Sequence, residues 1–179
     1  MMDKKNSQIP ENIIYGRNSV LEFLKAGKRS VNKLMISQTA RGAVISEIVA
    51  VAKLKGIAVY SVPAKKIDRF SRFSQGVAME VSPIKYMELM DLIEKSKKSV
   101  GPLLVLIDGI EDPHNLGAII RNCVVFGVCG VIIPKWRSVG INGSVSKSSA
   151  GAVEYISISK VTNVNWALDL LKKNGFWIV

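Results

Sequence analysis

The sequence predicts an α/β protein made of two units in tandem. Three observations carry that expectation. Strand-length apolar runs alternate with segments of helical spacing along most of the chain. A stretch rich in charge, with Pro83 near its start, divides the chain close to its middle. The continuous apolar run Leu103–Ile107 has the character of a parallel strand buried on both faces. With 179 residues, 48% of them apolar, the chain can bury a real core in one medium domain or two small ones.

Residues 1–12 are polar and are expected to form a flexible N-terminus without the apolar core of a secretory signal. Ile13–Tyr15 leads into Gly16-Arg17-Asn18, where Asn18 or Ser19 can cap a helix carrying Val20, Leu21, Phe23 and Leu24 and closed by Gly27. Val31–Ile36 reads as a strand, residues 43–55 as a helix ended by Gly56, and Ile57–Ser61 as a strand. Pro63 opens a helical turn through Ile67, and Gln75–Val81 is a further strand, so that residues 13–81 form the first unit. Residues 82–100 hold a short charged helix over Met87–Lys95 and a polar end, and are expected to be a linker.

The second unit begins with the Leu103–Ile107 strand. A loop over Asp108–Asp112 leads to a helix with Asp112 as N-cap and Pro113 in its first turn. Val131–Pro134 is the next strand, followed by a Ser-rich loop and short helix, then a strand over Ala152–Ser159. Asn163 caps a helix through Lys173, and Phe176–Val179 reads as a last strand. Alternation of this kind implies parallel βαβ units. Cys123 and Cys129 have neither zinc-ligand nor disulfide-framework spacing, and fit small buried thiols in a reducing, cytoplasmic setting. Trp136, Trp166 and Trp177 are expected in a core or an interface.

Net charge is +11, and it is unevenly distributed. Residues 1–81 hold 14 Lys/Arg against 6 Asp/Glu, whereas residues 101–179 hold 7 against 5. A field of that sign and placement attracts polyanions such as RNA. Arg17 and Asn18, in a turn before a helix, and Arg41, Lys65, Lys66, Arg69, Arg72 and Gln75, around the loops of the basic half, are candidate contacts to phosphates and splayed bases.

The chemistry is expected in the segment from Asp108 to Asn122, at the carboxyl end of a buried strand, where open α/β sheets place ligand clefts. Leu116, Ile119, Ile120 and Cys123 make the apolar stripe of its helix, and Arg121 falls off that stripe, free to face a cleft or solvent. Gly117 would let another backbone approach closely. Residues alone define a candidate anion or polar-ligand corner. Asp108, Glu111 and Asp112 are accounted for as strand end, loop and cap, and no metal is predicted.

Asp112-Pro-His-Asn-Leu-Gly117 followed by Ile120-Arg-Asn122 resembles the first signature motif of the SpoU/TrmH RNA methyltransferases. The segments Val131–Pro134, Lys135–Ser138, Lys147–Glu154 and Val161–Asn163 follow in family order. Tyr15–Glu22 and Gln75-Gly-Val77 resemble the family's substrate-binding domain, which is itself similar to small ribosomal RNA-binding proteins. Ser74 stands where family members often carry His. The resemblance spans nearly everything after residue 12 and looks nearest to the subgroup that methylates a guanosine ribose in large-subunit ribosomal RNA.

What the resemblance implies is transfer of a methyl group from S-adenosylmethionine to a ribose 2′-hydroxyl in RNA, by a protein that pairs as a homodimer. It assigns Asn115 and Arg121 to catalysis, Asn115 orienting Arg121 or the ribose. Arg121 matches an arginine proposed to take the hydroxyl proton. A guanidinium with a pKa above about 12 suits a different role better, clamping phosphate and stabilising developing alkoxide charge. His114 matches a position that is not the base and is left as a loop residue. The family's two later motifs, which form the trefoil knot that holds the cofactor, are not in this sequence. The expectation is therefore a SPOUT-type parallel-sheet domain that is incomplete over residues 101–179, with the cofactor-binding residues outside it. A stretch of these 179 residues alone is expected not to bind the cofactor. The alternative reading is an inert RNA-binding module.

Overall fold

A computed structural model describes residues 10–179, so most of the N-terminal segment lies outside the described residues. The first unit is a four-stranded mixed sheet in the order β1-β4-β2-β3, where β1 is Ile13–Tyr15, β2 Val31–Ser37, β3 Val59–Val62 and β4 Val77–Val81. Only β2 and β3 are parallel; β4 runs antiparallel to both β1 and β2. Helices α1 (Arg17–Ala26) and α2 (Ala43–Leu54) bury Val20, Phe23, Leu24, Ile45 and Ile48 on one face, against Ile14, Leu34 and Met79. The short α3 (Ala64–Asp68) covers the other face with Ile67, beside Tyr15, Met35 and Val62.

Local signals explain most boundaries. Gly27, in the left-handed region at φ 62°, closes α1 by donating its N–H to the Phe23 carbonyl. The start of α1 differs from expectation: Gly16 is the N-cap, without a side-chain cap, and Arg17 and Asn18 lie in the first turn of the helix rather than before it. The reason is the extended φ 92°, ψ 143° backbone that Gly16 alone tolerates between β1 and the helix.

The second unit is a three-stranded parallel sheet, β5-β6-β7, with β5 at Leu104–Leu106, β6 at Gly130–Pro134 and β7 at Ser157–Val161. Helices α5 (Pro113–Val125) and α6 (Gly143–Ser148) cover one face, and α4 (Leu89–Ser96) and α7 (Val164–Lys173) cover the other. The strand buried throughout is β6, whose five residues are all buried, and not β5, which is half-buried at the sheet edge with Leu103 exposed. Position in the sheet order, not apolarity alone, decided which run is central.

Other expectations are corrected by packing. The linker expected over residues 82–100 is part of the second unit, because Leu89, Leu92 and Ile93 are buried with Ile132 and Leu171. Residues 152–154 form a 3-10 turn, so the strand expected from Ala152 begins only at Ser157. Phe176–Val179 is not paired as a strand. Trp136, Trp166 and Trp177 are exposed rather than in the core. Cys123 is buried and Cys129 half-buried, both as free thiols, and burial raises the Cys123 pKa.

The two units are docked through α6 and the 3-10 turn. The Ser19 hydroxyl donates to the Ser146 carbonyl at 3.1 Å, Tyr15 and Ser144 hydroxyls stand 3.0 Å apart, and the Tyr155 hydroxyl donates to Glu22 Oε2 at 2.7 Å. Arg29 pairs with Glu154 at 3.0 Å, with side-chain exposures of 11% and 3%. Among the described residues no helix is long and apolar enough to cross a membrane.

Candidate active site

The corner at the carboxyl ends of β5 and β6 is built by α5. Asp112 caps that helix, its carboxylate accepting from the His114 N–H at 2.8 Å, and Pro113 occupies the first position, where a missing N–H costs nothing. His114 and Asn115 therefore belong to the first helical turn, not to the preceding loop. The Val139 N–H donates to the Ile110 carbonyl at 2.9 Å, bringing the loop after β6 against the loop after β5.

Helix α6 fixes the other side of α5. The Ser148 hydroxyl donates to the Pro113 carbonyl at 2.9 Å, and Gly117 faces the end of α6 so closely that a Cβ there would lie 2.8 Å from Ser148 Cβ and 2.9 Å from the Ser149 backbone nitrogen. The close approach read for Gly117 is thus made by α6. A Gly117→Ala substitution must push the two helices apart. We expect it to lower stability by about 1–3 kcal/mol, the usual cost of overpacking, and to displace the α5 first turn. Urea unfolding measures the first effect and reduced activity the second.

Asn115 and Arg121 are both exposed on α5, and Arg121 has no ion-pair partner among the described residues. The residues predicted to meet RNA fall into two groups. Arg17 and Gln75 are locked together: the Arg17 backbone N–H donates to Gln75 Oε1 at 3.1 Å, and Arg17 Nε donates to the Gln75 carbonyl at 3.2 Å. Gln75 itself holds φ 55°, an uncommon conformation for a residue other than glycine. The 38–42 loop adjoins them, since Gly76 packs on Ala40 and Gly42 lies next to the Arg17 guanidinium. Arg41 folds back on that loop, donating to the Gln38 and Ala40 carbonyls at 2.7 and 2.8 Å. Asn18 is exposed beside Arg17.

The second group lies around α3, on the opposite face of the sheet from α1 and α2. Lys65 and Lys66 are exposed there, and Arg69 and Arg72 sit over the rings of Phe70 and Phe73 at 4.8 and 5.6 Å. Phe73 is itself 66% exposed, a ring available for stacking that sequence reasoning missed. Its signal was the Arg-Phe pair that occurs twice, at 69–70 and 72–73. The buried Ser74 donates to Asp68 Oδ1 at 3.3 Å, so the residue standing in place of the family's common histidine is used inside the unit.

A cavity of about 620 Å³ lies between β5, α7 and residues 175–179, and another of about 470 Å³ lies at the unit junction; neither borders Asn115 or Arg121.

Fold and site together define a class: a basic α/β module docked onto a parallel-sheet α/β unit that carries a polar corner at its strand ends. Residues 13–87 match the family of RNA 2′-O ribose methyltransferase substrate-binding domains, and residues 102–179 match the SpoU rRNA methylase family. A TrmH family tRNA/rRNA methyltransferase of Staphylococcus aureus (strain COL) is 41% identical over 170 residues, covering 94% of this chain and 68% of the relative. A tRNA/rRNA methyltransferase of Synechocystis is 39% identical over 181 residues, 99% of this chain and 47% of its own length. The chain belongs to the SpoU/TrmH family of RNA methyltransferases.

The same fold is seen in solved structures. The AdoMet-bound rRNA methyltransferase of Sinorhizobium meliloti superposes with a TM-score of 0.69 at 22% identity, over 90% of this chain and 58% of that one. The AdoMet complex of the SpoU methyltransferase AviRb of Streptomyces viridochromogenes gives 0.68 at 16% identity, over 90% and 59%. This chain therefore spans little more than half the length of these two solved proteins.

Proposed function

We propose that this protein transfers a methyl group to a ribose 2′-hydroxyl of ribosomal RNA, with S-adenosylmethionine as the donor and a homodimer as the working form. The observation that carries this reading is the placement of Arg121 and Asn115, exposed on a capped helix at the strand ends, in one docked body with the basic RNA-binding module.

The chain's own residues act on the acceptor side. An alcohol must lose its proton as it attacks and must be held in line with the methyl group. The Arg121 guanidinium binds the phosphate beside the ribose and stabilises the alkoxide charge that grows on the 2′-oxygen. The Asn115 side chain orients the ribose. Arg17, Asn18, Arg41 and Gln75 hold the strand from one side, and Lys65, Lys66, Arg69 and Arg72 extend the basic surface around α3. When bound, the donor would supply an electrophilic methyl group and would be left as the neutral thioether, while the 2′-hydroxyl proton passes to solvent at the open corner.

The test is a deletion strain. Its ribosomal RNA is expected to lose one ribose methylation, detected as a linkage that becomes sensitive to alkali, since a 2′-O-methyl group blocks the hydrolysis. The gene product and S-adenosylmethionine should restore it in vitro. A full set of alkali-resistant riboses in the deletion strain would overturn the reading. Loss of a base methylation or of a transfer-RNA methylation instead would reassign the acceptor.

A further inference from the structure

Lys147 has no part in the site described above, yet it crosses the junction between the units. Its side chain leaves α6 and lies over Gly16 at the start of α1: a Cβ at Gly16 would stand 2.7 Å from both Cδ and Nζ of Lys147. Gly16 is reserved for glycine by its φ of 92°, and the end of the Lys147 side chain fills the space beside it. Lys147 is half-buried and has no carboxylate at ion-pair distance among the described residues. Burial alone lowers its pKa.

The surroundings add positive charge instead of offsetting it. Arg17 follows Gly16, and its backbone N–H and Nε donate to Gln75, which leaves Nη1 and Nη2 without a hydrogen-bond partner among the described residues. The first turn of α1 carries no acidic residue. Lys147 and Arg17, from different units, thus flank Gly16, and among the described residues neither has a carboxylate at ion-pair distance. A half-buried ammonium loses part of its hydration, and an anionic ligand is a group that offsets that loss. The spot also adjoins the catalytic corner, because the next residue, Ser148, holds the Pro113 carbonyl in the first turn of α5.

We propose that Lys147 and Arg17 form a clamp across the unit junction for one phosphodiester of the substrate RNA, setting the neighbouring ribose at the α5 corner. This rests on the RNA reading above and adds a positioning residue to it.

The test uses the whole gene product and polyuridylate as the probe. Each phosphate contact contributes about 0.7 to the slope of log affinity against log salt on single strands. Lys147→Met keeps the apolar stem over Gly16 and removes the charge. It is expected to lower that slope by about 0.7 and to weaken binding roughly tenfold at low salt. Arg17→Ala should behave alike, and the double variant should lose less than the two single losses added, since both cations serve one phosphate. Lys173→Met, on the exposed end of α7, should leave the slope unchanged.

Amine labelling of the unmodified protein gives a second reading that needs no variant. Polyuridylate is expected to protect Lys147 and to leave Lys173 reactive. An unchanged slope in Lys147→Met, or labelling of Lys147 that RNA does not reduce, overturns the clamp. So does protection by inorganic phosphate without protection by polyuridylate, which would make the spot a free-anion pocket. If the unmodified protein shows no salt-sensitive RNA binding at all, the RNA reading itself fails, and the two outcomes stay separate.

Discussion

Replacing Arg121 by alanine is expected to reduce methyl transfer by about 10²–10³-fold, the usual cost of removing one group that stabilises developing negative charge. RNA affinity should be largely kept, because the basic module supplies it. The exposed position of Arg121 and its lack of an ion-pair partner among the described residues make a large folding defect unexpected. Arg121→Lys separates two explanations. A lysine keeps the charge and loses the planar fork that binds phosphate through two parallel hydrogen bonds. Partial activity in Arg121→Lys assigns the role to charge, and activity as low as in Arg121→Ala assigns it to bidentate geometry. Single-turnover rates on RNA from the deletion strain, with binding measured in parallel, provide the check. Full turnover in Arg121→Ala would remove Arg121 from the chemistry.

The second large effect is expected at the junction itself. Arg29 donates to Glu154 Oε1 at 3.0 Å, and its Nε and Nη2 donate to the Ser82 carbonyl, so one guanidinium ties the loop after α1 and the residue after β4 to the 3-10 turn. Its guanidinium lies over the Phe23 ring, with Cζ 5.2 Å from the centroid. Arg29→Met keeps an apolar stem, loses the charge over Phe23 and leaves Glu154 buried without a partner, at a cost of about 3–5 kcal/mol. Replacing both members, as in Arg29→Met with Glu154→Leu, should recover much of the loss, because an apolar pair needs no desolvation of charge. Urea unfolding of the single and double variants measures the cycle.

The sign of the pH dependence follows from the Glu154 carboxyl. Burial pushes its pKa above the ordinary 4.5, against the opposing pull of the Arg29 charge and hydrogen bond. A carboxyl with a raised folded-state pKa contributes stability that is full below 4.5 and is lost as pH rises through the raised value. Removing Arg29 takes away the main opposing pull and moves the folded-state pKa higher still. The penalty of Arg29→Met should therefore be smallest at acid pH, where Glu154 is neutral, and should grow toward neutral pH. A penalty independent of pH would show that lost packing, rather than the unpaired carboxylate, is responsible.

Much of the architecture was legible from local chemistry. Asp112 and Pro113 announce the start of α5, Gly27 and Gly56 mark the ends of α1 and α2, and Asn163 caps α7 as its position suggests. These signals work because a cap or an amphipathic stripe involves residues only three or four positions apart. Gly117 was readable as a point of close approach, though not as a contact with Ser148 and Ser149.

Contacts between residues distant in the chain escaped the sequence, and the junction consists of them. Arg29 and Glu154 are 125 positions apart, and Tyr155 and Glu22 are 133 apart. Nothing local marks Lys147 as a neighbour of Gly16, or residues 152–154 as a turn held against α1. Apolarity showed that Leu103–Ile107 and Val131–Pro134 are strands, yet which of them is wholly buried depends on the order β5-β6-β7. Periodicity and capping are set within one helical turn or one strand, so the chain alone dictates them. Sheet order and the docking of one unit on another are free-energy minima over the whole chain, and only the folded body shows which side chains they bring face to face.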